Sequence, residues 1–330
     1  MIDLNNIYMH GRYILDSSLH IYNTGSGIEF NVCANFLSIK MKAISNQQDK
    51  AWMRVIIDND YDNALELKFS SLEEFVLLDS KKEEVHNFKV LKVSEAIESY
   101  VDITNIELKG HYLDKPVYDK TFLVYGDSTV SAYGNLGKLE DEKTLFDTDG
   151  LLGYCYLTCK EFKASMNSVN GSGWGVSFSP WTTPKRRPLL KLYDKVAPLS
   201  SLSYDMKNIN PTLAIISLGT NDSYYIIEGE ENKTKNDLIK EFKNDYQKLL
   251  ANIKKDFNDI PIIMVYGVMK ERHNYQVMQE IYEENCDKYN LYQACIEGDG
   301  LGVSSHPTYL SHKKISEELI KLIKEILNEK

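Results

Sequence analysis

A β-sandwich followed by an α/β domain with a parallel sheet is the fold class this sequence predicts. Three observations carry it. The 330 residues exceed the roughly 150 that one core ordinarily serves. Residues 1–117 alternate apolar and polar side chains in short runs, and residues 118–330 alternate compact apolar runs with long amphipathic ones. The change of pattern falls near Pro116.

In the first part, Ile28, Phe30 and Val32 set Glu29 and Asn31 on the opposite face. After Asn35 the alternation resumes in the other phase with Leu37, Ile39, Met41 and Ala43, which predicts a hairpin. Met53, Val55 and Ile57 lead to an Asp58-Asn59-Asp60 turn, and Leu65, Leu67 and Phe69 follow. Further strands are expected at 75–78, 88–93 and 103–108, the first two separated by a turn at Asp79-Ser80-Lys81-Lys82. Strands at this spacing suggest a sandwich of the jelly-roll kind.

In the second part, strands are expected at 121–126, 162–169, 213–219, 261–268 and 291–296, each apolar and bounded by Gly, Asn or Asp. Helices are expected at 142–160, 235–257, 275–289 and 312–327. Leu238, Phe242, Leu249, Ile253 and Phe257 recur at helical spacing in the second of these. A parallel sheet places its ligand site at the carboxyl ends of its strands.

Charge and cysteine usage narrow the function classes. Lys+Arg number 38 against 48 Asp+Glu, a net −10, and the one basic cluster is Lys185-Arg186-Arg187. A nucleic-acid partner needs a basic face, so none is expected. No apolar run is long enough to span a bilayer, so no membrane partner is expected either. Five scattered cysteines without a Cys-x-x-Cys pair or a histidine at zinc-ligand spacing argue against a disulfide framework or a metal, and no cofactor is expected. Cys155 and Cys159 read as small apolar residues on one helix face. The start, Met1 to Asn6, lacks a basic and then apolar leader, giving the expectation of a cytoplasmic chain, or of a secreted one whose leader has been removed.

The chemistry gathers at the strand ends. The strand 121–126 runs into Gly126-Asp127-Ser128, where Ser128 is either a helix N-cap or a nucleophile at a helix N-terminus. The strand ending at Val169 enters Asn170-Gly171-Ser172-Gly173-Trp174-Gly175, and that ending at Leu218 enters Gly219-Thr220-Asn221-Asp222. Past the last strand comes Ser304-Ser305-His306-Pro307. Serine, glycine N–H, asparagine amide and histidine together are the inventory for acyl transfer.

In order, these four blocks resemble those of the SGNH (GDSL-type) hydrolases. With Gly11-Arg12, the strand-rich first part, Tyr133-Gly134-Asn135 and Ser172-Gly173-Trp174-Gly175-Val176, they are most similar to carbohydrate esterase family 2. The resemblance implies a jelly-roll domain before a flavodoxin-like SGNH domain. It also implies a serine esterase that removes acetyl groups from sugar hydroxyls of plant polysaccharides or oligosaccharides. Ser128 and His306 would be catalytic, with the N–H groups of Ser128 and Gly173 and the Asn221 amide as oxyanion hole. Many SGNH enzymes place an aspartate two or three residues before the histidine, but Ser304 and Val303 stand there, and Asp299 lies seven residues back. A Ser128–His306 dyad held by a backbone carbonyl or a serine hydroxyl is therefore expected.

Other candidates have plainer readings. His312 would pack or cap the last helix, and His10, His20, His86, His111 and His273 would be surface or structural. Asp127 and Asp222 would hydrogen-bond their loops. Trp174 and Trp181 could stack on a sugar or fill the core. Arg12 alone would be a surface charge, and Arg186 and Arg187 a loop that supplies salt bridges. An O-acyltransferase using the same site and a carbohydrate-binding protein with a decayed site are the alternative functions.

Overall fold

The computed structural model describes residues 2–45, 50–181, 188–269 and 274–329. Lys185-Arg186-Arg187 and His273 lie outside the described residues. The chain divides into two compact units, Met1–Asp119 and Lys120–Lys330.

The first unit is one antiparallel sheet of β1 (Tyr8–His10), β2 (Tyr13–Leu15), β3 (Leu19–Ile21), β4 (Gly27–Ser45), β5 (Ala51–Ile57), β6 (Asp60–Phe69), β7 (Leu72–Lys92) and β8 (Ser99–Tyr112). Its order is β2-β3-β8-β4-β7-β5-β6, with β1 paired to β4. The expected hairpin at Asn35 is instead a β-bulge inside the 19-residue β4. In the ladder with β8, Ala34 pairs Gly110 and Phe36 pairs Lys109, so Asn35 is the extra residue that absorbs the change of phase. Ile28, Phe30 and Val32 before the bulge and Leu37, Ile39 and Met41 after it therefore enter the same core. The turn expected at 79–82 is likewise internal to a strand. Ala34 pairs Glu84 while Phe36 pairs Asp79, so β7 bulges outward there against a single residue of β4.

The second unit contains a five-stranded parallel sheet of β9 (Lys120–Gly126), β10 (Ala164–Asn170), β11 (Leu213–Ser217), β12 (Ile262–Tyr266) and β13 (Leu291–Cys295), ordered β10-β9-β11-β12-β13. Its helices are α1 (Ser128–Ser131), α2 (Tyr154–Glu161), α3 (Thr220–Glu228), α4 (Lys235–Phe257), α5 (Tyr275–Asn285) and α6 (Tyr309–Leu327). α4 begins at a capping box in which Thr234 Oγ1 accepts from Asp237 N (3.1 Å) and Asp237 Oδ2 accepts from Thr234 N (2.9 Å). Its Leu238, Phe242, Leu249 and Ile253 join Leu123, Tyr125, Ala214 and Ile216 of the sheet in one core. Phe122, Val124 and Ile215, which alternate with those strand residues, are also buried, as a sheet covered on both faces requires.

The helix expected from Glu142 forms only as α2. Before it lie 3-10 turns at Leu145–Asp147 and Gly150–Leu152, where Asp149 caps the Leu151 N–H and Gly153 precedes the helix. Two glycines and two aspartates in this stretch favour turns over helix. Cys155 and Cys159 are buried on α2. No described helix is long and apolar enough to cross a membrane.

Candidate active site

Three strands end level with one another. Asn170 of β10 and Ser217 of β11 both pair with Gly126 of β9, so the three following loops leave the sheet along one edge. Gly126 is packed tightly: a Cβ there would lie 2.1 Å from Val130 Cγ2. After it, Asp127 caps α1, accepting from the Thr129 N–H and hydroxyl at 2.9 Å each. Burial pushes its carboxyl up to about 6. With only four residues, α1 has little macrodipole, so anion stabilisation at Ser128 rests on individual N–H groups. Neither Ser128 N–H nor Gly173 N–H meets an acceptor among the described residues.

Ser128 Oγ lies 2.8 Å from His306 Nε2. The opposite nitrogen of the ring, Nδ1, is 3.0 Å from the Val303 carbonyl and 3.2 Å from that of Ser304. Carbonyls only accept, so Nδ1 carries the proton and Nε2 is left to accept from the Ser128 hydroxyl. Desolvation pushes the imidazole down to about 4, assisted by the Lys143 cation and opposed by the two carbonyls. The Tyr133 ring lies against the imidazole, tilted by 36° with centroids 4.5 Å apart, and Lys143 Nζ sits 4.6 Å from the Tyr133 centroid.

The carbonyls reach Nδ1 because Ser304 and Ser305 both adopt left-handed backbone, with φ of 53° and 62°. Each such non-glycine residue costs about 1 kcal/mol or more, which the loop must offset elsewhere. Asp299 supplies part of the offset without touching the imidazole. It accepts from Thr308 N (2.9 Å) and Thr308 Oγ1 (2.5 Å), closing the loop around His306. Gly134 O accepts from Val303 N at 3.2 Å and ties the loop to the segment after α1.

Asn221 lies at the start of α3, buried. Its Nδ2 donates to Trp174 O at 2.9 Å and, at a longer 3.3 Å, to Asp127 Oδ2, bridging the loops that carry Gly173 and Ser128. Asp222 accepts from the N–H groups of Val176, Ser177 and Phe178 at 2.8, 2.8 and 2.9 Å. It holds chiefly the loop after β10, across from its own. Burial pushes it up to about 7 against the downward pull of those donors. Gly175 leaves room for this clamp, since a Cβ would meet Phe178 O at 2.2 Å and Asp222 Oδ2 at 2.5 Å.

The remaining candidates separate. Trp174 belongs to the core cluster, whereas Trp181 is 62% exposed, its ring edge-on to Tyr224. His312 is fully buried, accepting from Tyr154 N at Nδ1 (3.3 Å) and stacked on the Tyr154 ring, so it packs α6 against α2. Arg12 is wholly buried, not a surface charge. His10, His20 and His86 pair with carboxylates of Glu29, Asp102 and Asp58. The expected backbone carbonyl on the imidazole is present, supplied by Val303 and Ser304, while the contacts of Tyr133 and Lys143 at the ring were not foreseen, since they depend on segments brought together by the fold.

The family description GDSL-like Lipase/Acylhydrolase matches residues 122–317, more than half of the chain, and Carbohydrate esterase 2 N-terminal matches residues 9–116. The chain belongs to the GDSL-like lipase/acylhydrolase family. The family 2 N-terminal description covers most of the first unit. Cellulase/esterase CelE of Acetivibrio thermocellus is 24% identical over 316 residues, 91% of this chain and 37% of that protein. An acetylxylan esterase/glucomannan deacetylase of Cellvibrio japonicus is 29% identical over 132 residues, 39% of this chain and 37% of that protein. The chain thus spans little more than a third of either relative's length. A family two carbohydrate esterase from Clostridium thermocellum, solved with cellohexaose, superposes with a TM-score of 0.85 at 22% identity, covering 98% of this chain and 99% of the other. The acetyl xylan esterase Est2A of Butyrivibrio proteoclasticus gives 0.85 at 20% identity, covering 99% and 96%. These superpositions show that the chain shares the fold of those two structures.

Proposed function

We propose that the chain is a carbohydrate acetylesterase, removing O-acetyl groups from sugar hydroxyls of xylan- or glucomannan-type polysaccharides or their oligosaccharides. The observation that carries the reading is the 2.8 Å contact between Ser128 Oγ and the unprotonated Nε2 of His306 at the edge where three strands end. The sugar ester as substrate rests on the acetylxylan esterase/glucomannan deacetylase among its relatives.

Ser128 Oγ attacks the acetyl carbonyl as His306 Nε2 takes its proton. The carbonyl oxygen becomes an oxyanion held by the unpaired N–H groups of Ser128 and Gly173 and by the Asn221 amide, whose hydrogen on the longer contact to Asp127 is the one to be redirected. The imidazolium, its Nδ1 steadied by Val303 and Ser304 carbonyls, returns a proton to the sugar oxygen, and the alcohol leaves. Water then attacks acetyl-Ser128 as His306 takes its proton, and the imidazolium returns that proton to Ser128 Oγ as acetic acid departs and ionises to acetate in bulk water. Each donor in the hole contributes about 3–4 kcal/mol to the transition state.

Acetate release from acetylated xylan, acetylated glucomannan and an aryl acetate tests this. Wild-type protein is expected to hydrolyse all three, and Ser128→Ala and His306→Ala to lose activity by several orders of magnitude with unchanged circular dichroism. Near wild-type hydrolysis by Ser128→Ala would sink the assignment, and activity confined to the aryl ester would sink the sugar substrate.

A further inference from the structure

The spacing of cysteines and histidines along the chain argues against a metal site, but the sheet of the first unit brings together residues that the sequence separates. Cys33 on β4 pairs across the ladder with His111 on β8. On the other side it pairs with Val85 of β7, two residues from Glu83. The Cys33 sulfur, a Glu83 carboxylate oxygen and a His111 ring nitrogen all lie within 4.8 Å of one another. Cys33 Sγ donates to Glu83 Oε2 at 3.7 Å. Glu83 and His111 are exposed, and the His111 ring makes no hydrogen bond or ion pair among the described residues.

All three strands are irregular at this point. β7 bulges opposite Asn35, which turns Glu83 toward β4. The β4–β8 ladder also shifts between Ala34 and Phe36. There Gly110, with φ of 148°, admits no side chain, because a Cβ would lie 2.3 Å from Cys33 O and 2.5 Å from Ala34 Cα. Irregularities of this kind re-aim side chains, and here they converge three different ligand types on one point.

We propose that Cys33, Glu83 and His111 form a site for a zinc-like divalent transition ion, with water as the fourth ligand. A thiolate and an imidazole select a borderline-soft ion over magnesium or calcium, which take oxygen ligands. Tetrahedral zinc with bonds of about 2.0–2.3 Å sets its ligand atoms about 3.3–3.8 Å apart. The cysteine–glutamate contact already meets this. His111 and Glu83, exposed and free to change rotamer, close the remaining distance of about 1 Å. On binding, the ion replaces the thiol proton, which passes to bulk water. The bound ion would cross-link the three central strands of the unit.

The test uses the full chain, stripped with a chelator and titrated calorimetrically with zinc chloride. Wild-type protein is expected to bind one zinc per chain through this site. Cys33→Ser and His111→Ala should each weaken it at least tenfold, Glu83→Gln by less, and Cys295→Ser, at the exposed cysteine of the other unit, not at all. With cobalt(II), the thiolate charge-transfer absorption should appear in wild type and vanish in Cys33→Ser. Zinc should raise the thermal midpoint of wild type but not of Cys33→Ser. Unchanged zinc affinity in Cys33→Ser or in His111→Ala, a cobalt spectrum without a thiolate band, or no zinc bound by wild type would each overturn the proposal. Hydrolysis through Ser128 should be equal in wild type and Cys33→Ser, which keeps this result separate from the esterase reading.

Discussion

His306 is a base prepared by its surroundings more than by a partner. Desolvation and the Lys143 cation hold its imidazole down to about 4, against about 6.5 for an exposed histidine. A base must be neutral to act, and a lowered value keeps it neutral to lower pH. The acid limb of kcat/KM on an aryl acetate is therefore expected to fall through about pH 4, with a plateau above about pH 5. Lys143→Met should move that midpoint upward, and a limb centred near 6.5 in wild type would contradict the account. At Asn221 the expectation is a loss in kcat of about a hundredfold or more for Asn221→Ala, measured by steady-state kinetics. Because this amide also binds the Trp174 carbonyl, the asparagine links transition-state stabilisation to the position of the Gly173 loop.

Among the elements, the segment after α1 and the loop before α6 act as one piece. Gly134 has φ of 62°, and a Cβ there would lie 2.5 Å from Val303 Cβ, while Val303 presents its carbonyl to His306. Gly134→Ala should therefore lower kcat by about tenfold or more through a displaced imidazole, with smaller change in KM and a loss of unfolding free energy of about 1 kcal/mol or more. Elements were legible where local chemistry dominates. α4 follows from its apolar stripe and its Thr-x-x-Asp box, and the parallel strands from compact apolar runs. β4 was misread because a bulge and a hairpin produce the same change of phase, and only the pairing of β7 and β8 on either side tells them apart. Ser128, Gly173, Asn221 and His306 could be picked out because each follows a strand or precedes a helix beside glycine, proline or aspartate. That a backbone carbonyl would hold His306 was expected, but not which ones, since no residue type announces a left-handed serine pair. Cys33, Glu83 and His111 were invisible for another reason: fifty and twenty-eight residues separate them, and two bulges align them.

For the whole molecule, acidity is shared. The first 118 residues carry 12 Lys+Arg against 18 Asp+Glu, and the remainder 26 against 30. An acidic surface neither attracts nor repels a neutral acetylated sugar, but it slows the approach of one bearing uronic acids. Between low and physiological ionic strength, kcat/KM for a neutral acetylated xylo-oligosaccharide should change by less than about twofold, and that for a uronic-acid-substituted one should rise as the Debye length shortens to about 8 Å. A strong salt dependence with the neutral substrate would point to a charged contact in binding. The level ending of β10, β9 and β11 has a wider consequence. Adjacent strands stand about 4.8 Å apart, so the sheet works as a ruler that spaces the points from which the nucleophile, the glycine loop and the asparagine depart. Whatever those loops do farther out, their first residues stay on that grid. Lengthening or exchanging their distal parts is then a way to change which substrate is accepted while the reacting atoms keep their places.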